Sequence, residues 1–338
     1  MGSFEPEAFL PASVLARITS LRVDSPDQVL EVAGKRPPRR PVPEDGMLCL
    51  IAADHPARGV TAVGDKALGM ADRQDYLARI VRVLAGGAVD GVMATMDVID
   101  DLFLLHHLIL EAGGPGLLDG KWLVPSLNRA GLSGADWELN DPLTGASPDS
   151  CVRLGMDGAK ALLRICPGDR DSLATIEAVA AAITELNSYR LPFFLEPLPV
   201  VRRESRWEVV KEAEALARIV GVASALGDSS RYLWLKLPWC SDFGRVAAST
   251  TLPILLLGGP QGEGLRALLA ELADGLAAGA NVRGTLLGRR VLYPDGGDPL
   301  VAARAVAGLV HKGWSLERAE RSLGDPAEGL DTIHRWFD

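Results

Sequence analysis

Three observations predict a (β/α)8 barrel. Short, continuously apolar strands alternate with amphipathic helices along the 338-residue chain, which is the pattern of a parallel sheet covered by helices. Such strands number eight, the count at which a parallel sheet closes on itself. An open doubly wound sheet is the alternative, but no GxGxxG follows the first strand.

The first 45 residues stand apart from this pattern. Residues 7–21 read as one helix, and 25–34 as a second, with Ser25-Pro26 as its N-cap and first residue. Lys35-Arg36-Pro37-Pro38-Arg39-Arg40-Pro41 then reads as a stiff, solvated linker; a contact for an anionic partner is the other reading. The strands are predicted over 47–53, 91–95, 122–127, 159–165, 192–195, 232–237, 253–257 and 284–287. Helical patterns cover 71–84, 172–187, 207–225 and 265–278, and residues 315–338 add one or two more helices. The organisation is therefore an N-terminal helical extension and linker, 1–45, and a barrel with C-terminal helices, 46–338.

Composition bounds the function. Hydrophobic residues are 48% of the chain and charged residues 23%, enough for a large core under an ordinary polar surface. The net charge of -9 provides no global field for nucleic acid, so any anion site must be built locally. Cys49, Cys151, Cys166 and Cys240 form no CxxC pair, which argues against a zinc or redox motif and fits a reducing cytoplasm. No signal-peptide pattern opens the chain, and no apolar run approaches the ~20 residues that span a bilayer.

In such barrels the reactive groups sit at the C-terminal ends of the strands. Side chains alternate faces along a strand. Asp54 follows Leu48, Leu50 and Ala52 on one face of strand one; Lys160, Leu162 and Arg164 share a face of strand four; Phe194 and Glu196 of strand five; Tyr232, Trp234 and Lys236 of strand six. If these faces look inward, two lysines, a glutamate and an aspartate meet among apolar residues. Charged groups are seldom buried unless paired or functional. Lys236 has two readings: an amine whose desolvated, neutral form attacks a carbonyl to give a Schiff base, or a structural partner of Glu196. Glu196 reads as a proton shuttle if burial raises its pKa, or as a simple ion-pair partner. Asp54 either orients a substrate hydroxyl or holds a lysine.

Gly258-Gly259 and Gly288-Arg289 end strands seven and eight, where barrels often bind phosphate, and glycine lets the backbone come close. Two ordinary tight turns are the alternative. His55 and Asn128, at the ends of strands one and three, are further substrate contacts by position, and Arg58 and Arg164 add positive charge near the mouth. The remaining histidines lie in a helix or near the tail without metal-ligand spacing, so no metal or cofactor is expected.

These stretches resemble a known family. Ala53-Asp54-His55, Pro192-Phe193-Phe194-Leu195-Glu196-Pro197-Leu198, Leu235-Lys236-Leu237-Pro238, Leu257-Gly258-Gly259-Pro260 and Leu287-Gly288-Arg289 are similar to the class I aldolases of the deoxyribose-phosphate and tagatose-bisphosphate group, with the archaeal-type fructose-bisphosphate aldolases beside them. The resemblance runs from about 47 to 291. It implies that Lys236 is the Schiff-base lysine, that Glu196 and Lys160 are the acid–base pair, that Gly259 and Arg289 lie in phosphate loops, and that the chain assembles as a homo-oligomer. The sequence departs from the family at three points: strand four lacks the archaeal-type tyrosine, Pro56-Ala57-Arg58-Gly59 replaces a glycine-rich run, and the N-terminal extension is unusual.

With Arg58 and Arg164 taken as carboxylate contacts, the resemblance points to a phosphorylated sugar acid, such as the 2-deoxy-5-keto-phosphogluconate of inositol breakdown. Ketose bisphosphates and deoxyribose phosphate stay open. An acyl or ketol transferase using the same lysine, and a catalytically silent sugar-phosphate-binding regulatory barrel, are the competing functions.

Overall fold

The computed structural model describes residues 4–37, 41–204, 206–258 and 264–327. Its strands are β1 (Leu48–Ala53), β2 (Gly91–Ala94), β3 (Trp122–Pro125), β4 (Ala159–Ile165), β5 (Phe193–Arg203), β6 (Arg206–Val209), β7 (Leu233–Pro238), β8 (Ile254–Leu257) and β9 (Val282–Leu287). The helices are α1 (Pro6–Phe9), α2 (Ala12–Asp24), α3 (Gln28–Lys35), α4 (Arg73–Ala85), α5 (Met96–Glu111), α6 (Pro148–Arg153), α7 (Asp171–Ser188), α8 (Ala213–Ser224), α9 (Phe243–Ala247), α10 (Gly264–Ala277), α11 (Arg289–Leu292), α12 (Pro299–Lys312) and α13 (Leu316–Ser322). No helix among the described residues is long and apolar enough to cross a membrane.

Eight strands pair in parallel in the order β3-β2-β1-β9-β8-β7-β5-β4, and β6 pairs antiparallel with the outer half of β5. The two ends of that order meet, which closes the (β/α)8 barrel. Ser126 bridges Lys160, and the Leu127 N–H donates to the Lys160 carbonyl at 2.8 Å. Beyond that point the Asn128 side chain replaces the missing backbone rungs: its Nδ2 donates to the Leu162 carbonyl at 2.6 Å, and its Oδ1 accepts from the Leu162 N–H at 2.9 Å. Closure matters because an open edge would leave a row of unpaired backbone groups.

Inward-facing side chains fill the barrel. Leu48, Leu50, Ala52, Met93, Val124, Leu255 and Leu286 pack with Trp122 and Phe194. Trp122 meets Phe194 edge-on at 6.3 Å between ring centres, and Phe194 meets Trp234 at 5.8 Å. This aromatic layer is the floor on which the ionisable residues stand. Gly284 lets β9 approach β1: its φ is 122°, and an added Cβ would lie 1.9 Å from the Leu48 carbonyl oxygen.

The structure corrects three element predictions. The helix expected over 207–225 is a hairpin strand followed by a shorter helix, because β5 runs on through Leu198 to Arg203 and turns back as β6. Pro197 and Pro199 oppose helix there, Val200, Val201 and Val209 favour strand, and Arg202 lies over the Trp207 ring at 5.7 Å. The single helix over 7–21 is broken into α1 and α2, since Pro11 drives Leu10 to an extended conformation (φ -128°, ψ 90°). The helix expected from Ser25 begins at Gln28.

The N-terminal helices pack on α4 and α5. Arg22 pairs with Asp101 at 2.6 Å. Arg36, from the basic stretch, pairs with Asp157 at 2.9 Å and donates to the carbonyls of Lys121 and Gly155. Pro38, Arg39 and Arg40 of that stretch, and 328–338 of the tail, lie outside the described residues.

At the N-terminal end of the barrel, His311 bridges two carboxylates. Its Nδ1 lies 2.6 Å from Asp45 Oδ2 and its Nε2 3.0 Å from Asp90 Oδ2, while Asp90 also accepts the Cys49 N–H at 2.6 Å. The Asp90 hydrogen bond, opposed by burial and reinforced by Asp45, raises this imidazole from 6.5 to about 9. A raised folded-state value means a contribution that is whole below pH 6.5 and lost as the pH climbs through about 9. The melting temperature of the wild type should therefore carry a downward component between these limits that His311→Gln lacks, measured by calorimetry across pH. Asn128→Ala should lower stability by about 2–3 kcal/mol in denaturant titration, since it leaves the buried Leu162 rungs unmade.

Candidate active site

The barrel register places the site. Phe194 pairs with both Lys160 and Trp234, so Lys160 starts one layer below Glu196 and Lys236 and reaches up to them. Lys160 Nζ lies 2.7 Å from Glu196 Oε2, and Lys236 Nζ lies 2.9 Å from the same oxygen. Lys160 also reaches Asp54 Oδ2 at 3.3 Å. Asp54 Oδ2 is paired in turn with Arg129, whose same nitrogen donates to Ser126 Oγ. Arg129, Asp54, Lys160, Glu196 and Lys236 form one chain of alternating charge across the mouth, with side chains between 2% and 11% exposed.

The electrostatics follow from burial and this pairing. Burial penalises the charge on Lys160 most; Glu196 opposes that, and Lys236, Arg129 and Arg58 add repulsion, so the amine sits well below the usual lysine value. Burial alone would raise the Glu196 carboxyl, but Lys160 and Lys236 pull harder and hold it well below the usual carboxylate range. The expectation that burial raises Glu196 is thereby corrected: in this state it is an ionised carboxylate between two amines. Such a group accepts a proton first and donates it afterwards.

Across the mouth, His55 lies over the end of β9. Burial first, then Arg289, Lys236 and Lys160, push its imidazole down to about 3, so it is neutral. Its Nδ1 is buried, finds no hydrogen-bond partner among the described residues, and lies 3.9 Å from Asp54 Oδ1. Gly288 makes room for this ring, since a Cβ there would fall 2.4 Å from His55 Cε1. Arg289 has no ion-pair partner among the described residues, and its Nε is buried without a hydrogen bond. It lines an open groove of about 1190 Å³ with Lys66, Gln74 and Tyr293 and with the carboxylate residues Asp65, Asp72, Asp75 and Asp295. Its neighbour Arg290 is committed to α10 and to the end of β8, through Glu271 at 2.9 Å and the carbonyls of Gly264 and Gly258. Gly259 and Pro260 lie outside the described residues.

Three predicted contacts are occupied elsewhere. Arg58 pairs with Asp141 at 2.5 Å and donates to the carbonyls of Gly131 and Asn128. Arg164 pairs with Glu138 and donates to the Gly131 carbonyl at 2.9 Å. Both guanidiniums thus hold down the loop after β3, and the free positive charge expected from them is neutralised. Asn128 is spent on the barrel seam. Sequence reasoning missed Arg129, although it stands at a strand end. It also missed Glu138 and Asp141, which sit in a loop where no periodicity marks an inward residue. The β5–β6 hairpin adds an apolar wall beside the site, where Leu162, Leu198 and Val200 pack with Leu139 and Trp207.

Comparison with known proteins agrees with this architecture. The Cgl0159-like family model matches residues 46–307. The crystal structure of Cgl0159 from Corynebacterium glutamicum is 39% identical, with a TM-score of 0.84 over 90% of this chain and 99% of its own. A 2-amino-4,5-dihydroxy-6-oxo-7-(phosphonooxy)heptanoate synthase of Streptomyces griseus is 24% identical over 70% of this chain and 86% of its own length. An archaeal fructose-1,6-bisphosphate aldolase, solved with its catalytic lysine covalently bound to the carbinolamine intermediate of the substrate, is 21% identical, with a TM-score of 0.58 over 83% of this chain and 99% of its own. At that identity the likeness establishes the fold. By the extent of the family match and its 39% identity to the Corynebacterium protein, this chain belongs to the Cgl0159-like family.

Proposed function

We propose that this protein is a class I aldolase that makes or breaks a carbon–carbon bond in a phosphorylated ketose through a Schiff base on Lys236. The observation that carries the reading is the buried Lys160–Glu196–Lys236 cluster, 2.7 and 2.9 Å across its two contacts, set above an aromatic floor. A phosphate beside Arg289 would direct the substrate carbonyl inward toward Lys236.

Each group has a task. Lys236 passes a proton to Glu196 Oε2 and attacks the carbonyl carbon with its freed lone pair. Attack leaves an ammonium nitrogen and an alkoxide; the extra proton on nitrogen passes to that oxygen, giving the neutral carbinolamine. Glu196, now neutral, then protonates its hydroxyl, which departs as water while the nitrogen lone pair forms the C=N bond. The resulting iminium draws the electrons of the breaking carbon–carbon bond and becomes an enamine as the aldehyde leaves. Asp54 is placed to take the proton of the reacting hydroxyl, and the neutral His55 to hydrogen-bond it. The apolar wall and the floor exclude water from the iminium.

The donor we favour is dihydroxyacetone phosphate. The name of the Streptomyces synthase describes a ketone between a phosphonooxy carbon and a hydroxyl-bearing carbon, the pattern that aldol addition of this donor leaves. The same pattern is present in fructose bisphosphate. The carboxylate of a sugar acid loses its main argument, since Arg58 and Arg164 already hold Asp141 and Glu138.

Incubation with dihydroxyacetone phosphate followed by borohydride should leave a reduced adduct on Lys236, located by peptide mass spectrometry and absent from Lys236→Ala. A folded protein that binds the ketone and yields no adduct would overturn the reading. Glu196→Gln should lower kcat by about 10²–10⁴-fold, because the shuttle is lost while the ketone still reaches the amine.

A further inference from the structure

We propose that Arg129 is a positioning residue of this site, competing with Lys160 for Asp54 Oδ2 so that Lys160 is left to exchange its proton with Glu196. The inference rests on the Schiff-base reading for its catalytic meaning, and on geometry for its substance. Arg129 follows the seam residue Asn128, and its own N–H is fixed by Thr144 Oγ1 at 3.0 Å. Its side chain is 9% exposed, its Nε is buried without a hydrogen bond, and its charge goes to Asp54. A buried guanidinium needs a counter-charge to offset its desolvation, and the one Arg129 finds is a residue of the site.

Asp54 Oδ2 has two suitors. Arg129 is in close contact with it, whereas Lys160 is at the edge of hydrogen-bond range, 3.3 Å, and sits closer to Glu196 at 2.7 Å. Without the guanidinium, Asp54 would have Lys160 as its remaining close cation. Lys160 would then be gripped by two carboxylates and keep its proton. With Arg129 present, the N–H bond of Lys160 can break toward Glu196 Oε2, leaving a neutral amine and a neutral acid. That acid replenishes the proton consumed when the carbinolamine oxygen leaves as water. The charged groups facing Lys160 are Asp54 and Arg58 after β1, Arg129 after β3, Glu196 on β5 and Lys236 on β7. Of these, Arg58 is tied to Asp141, so Arg129 is the cation whose removal acts on Asp54 directly.

The test is a ¹³C-lysine NMR titration of the full-length protein, with the Lys160 Cε signal assigned through Lys160→Arg. Arg129→Gln should raise the proton affinity of Lys160 at least about tenfold, and Arg129→Lys should return it toward wild type. In an Asp54→Asn background the Arg129→Gln shift should shrink to the smaller part that direct repulsion between Arg129 and Lys160 supplies. An unchanged Lys160 midpoint in folded Arg129→Gln would overturn the inference, as would an equal shift in the Asp54→Asn background. If Arg129→Gln fails to fold, Arg129→Met, which removes the charge and keeps the apolar stem, gives the same comparison with and without Asp54→Asn. In steady-state assays kcat should fall about 10–100-fold with KM for the ketone held, and Arg129→Lys should recover most of it. Failure of wild type to trap a ketone on Lys236 would remove the Schiff-base reading and leave the NMR result standing on its own.

Discussion

The site depends on one carboxylate shared by two buried ammonium groups. Glu196 Oε2 lies within 2.9 Å of both Lys160 and Lys236, and no other acid reaches Lys236 among the described residues. Two amines in an apolar barrel would repel each other and resist burial; one carboxylate between them makes the arrangement possible. The same arrangement makes it reactive. A proton moved from either amine onto Glu196 removes one positive and one negative charge together, so the pairing that stabilises the resting site also holds the route proposed for its acid–base chemistry.

The arginines divide by commitment. Arg58, Arg164 and Arg290 are each paired with a carboxylate and donate to backbone carbonyls; the first two hold the loop after β3, and the third ties α11 to α10. Arg129 is committed to a residue of the site itself, and Arg289 to none among the described residues. Of these five arginines, Arg289 is the one with no carboxylate partner among the described residues, which suits it to the phosphate role proposed for it. Loops positioned by a rigid barrel suit this task, because their arginines can be locked without disturbing the strands.

Much of this was legible in the sequence because it obeys strict periods. The eight barrel strands occur at the apolar runs of the sequence, and alternation along β4, β5 and β7 alone predicts that Lys160, Glu196 and Lys236 share the inward side. What escaped lies where no period operates. The β5–β6 hairpin has helix-like spacing from Trp207 onward, and only its prolines and β-branched valines oppose a helix. The partners of Arg58 and Arg164 come from a loop 70 or more residues and 26 residues away respectively, and such pairing leaves no local trace. Asn128 was read as a substrate contact by its strand-end position, whereas the barrel closure uses its amide as backbone.

The central claim is that a ketone phosphate reaches Lys236 from the Arg289 side. A crystal of the protein soaked in dihydroxyacetone phosphate and flash-cooled tests it directly. The account predicts continuous density from Lys236 Nζ to the ketone carbon, with the phosphate against Arg289. Density for the ligand elsewhere, with Lys236 still paired to Glu196, would contradict it.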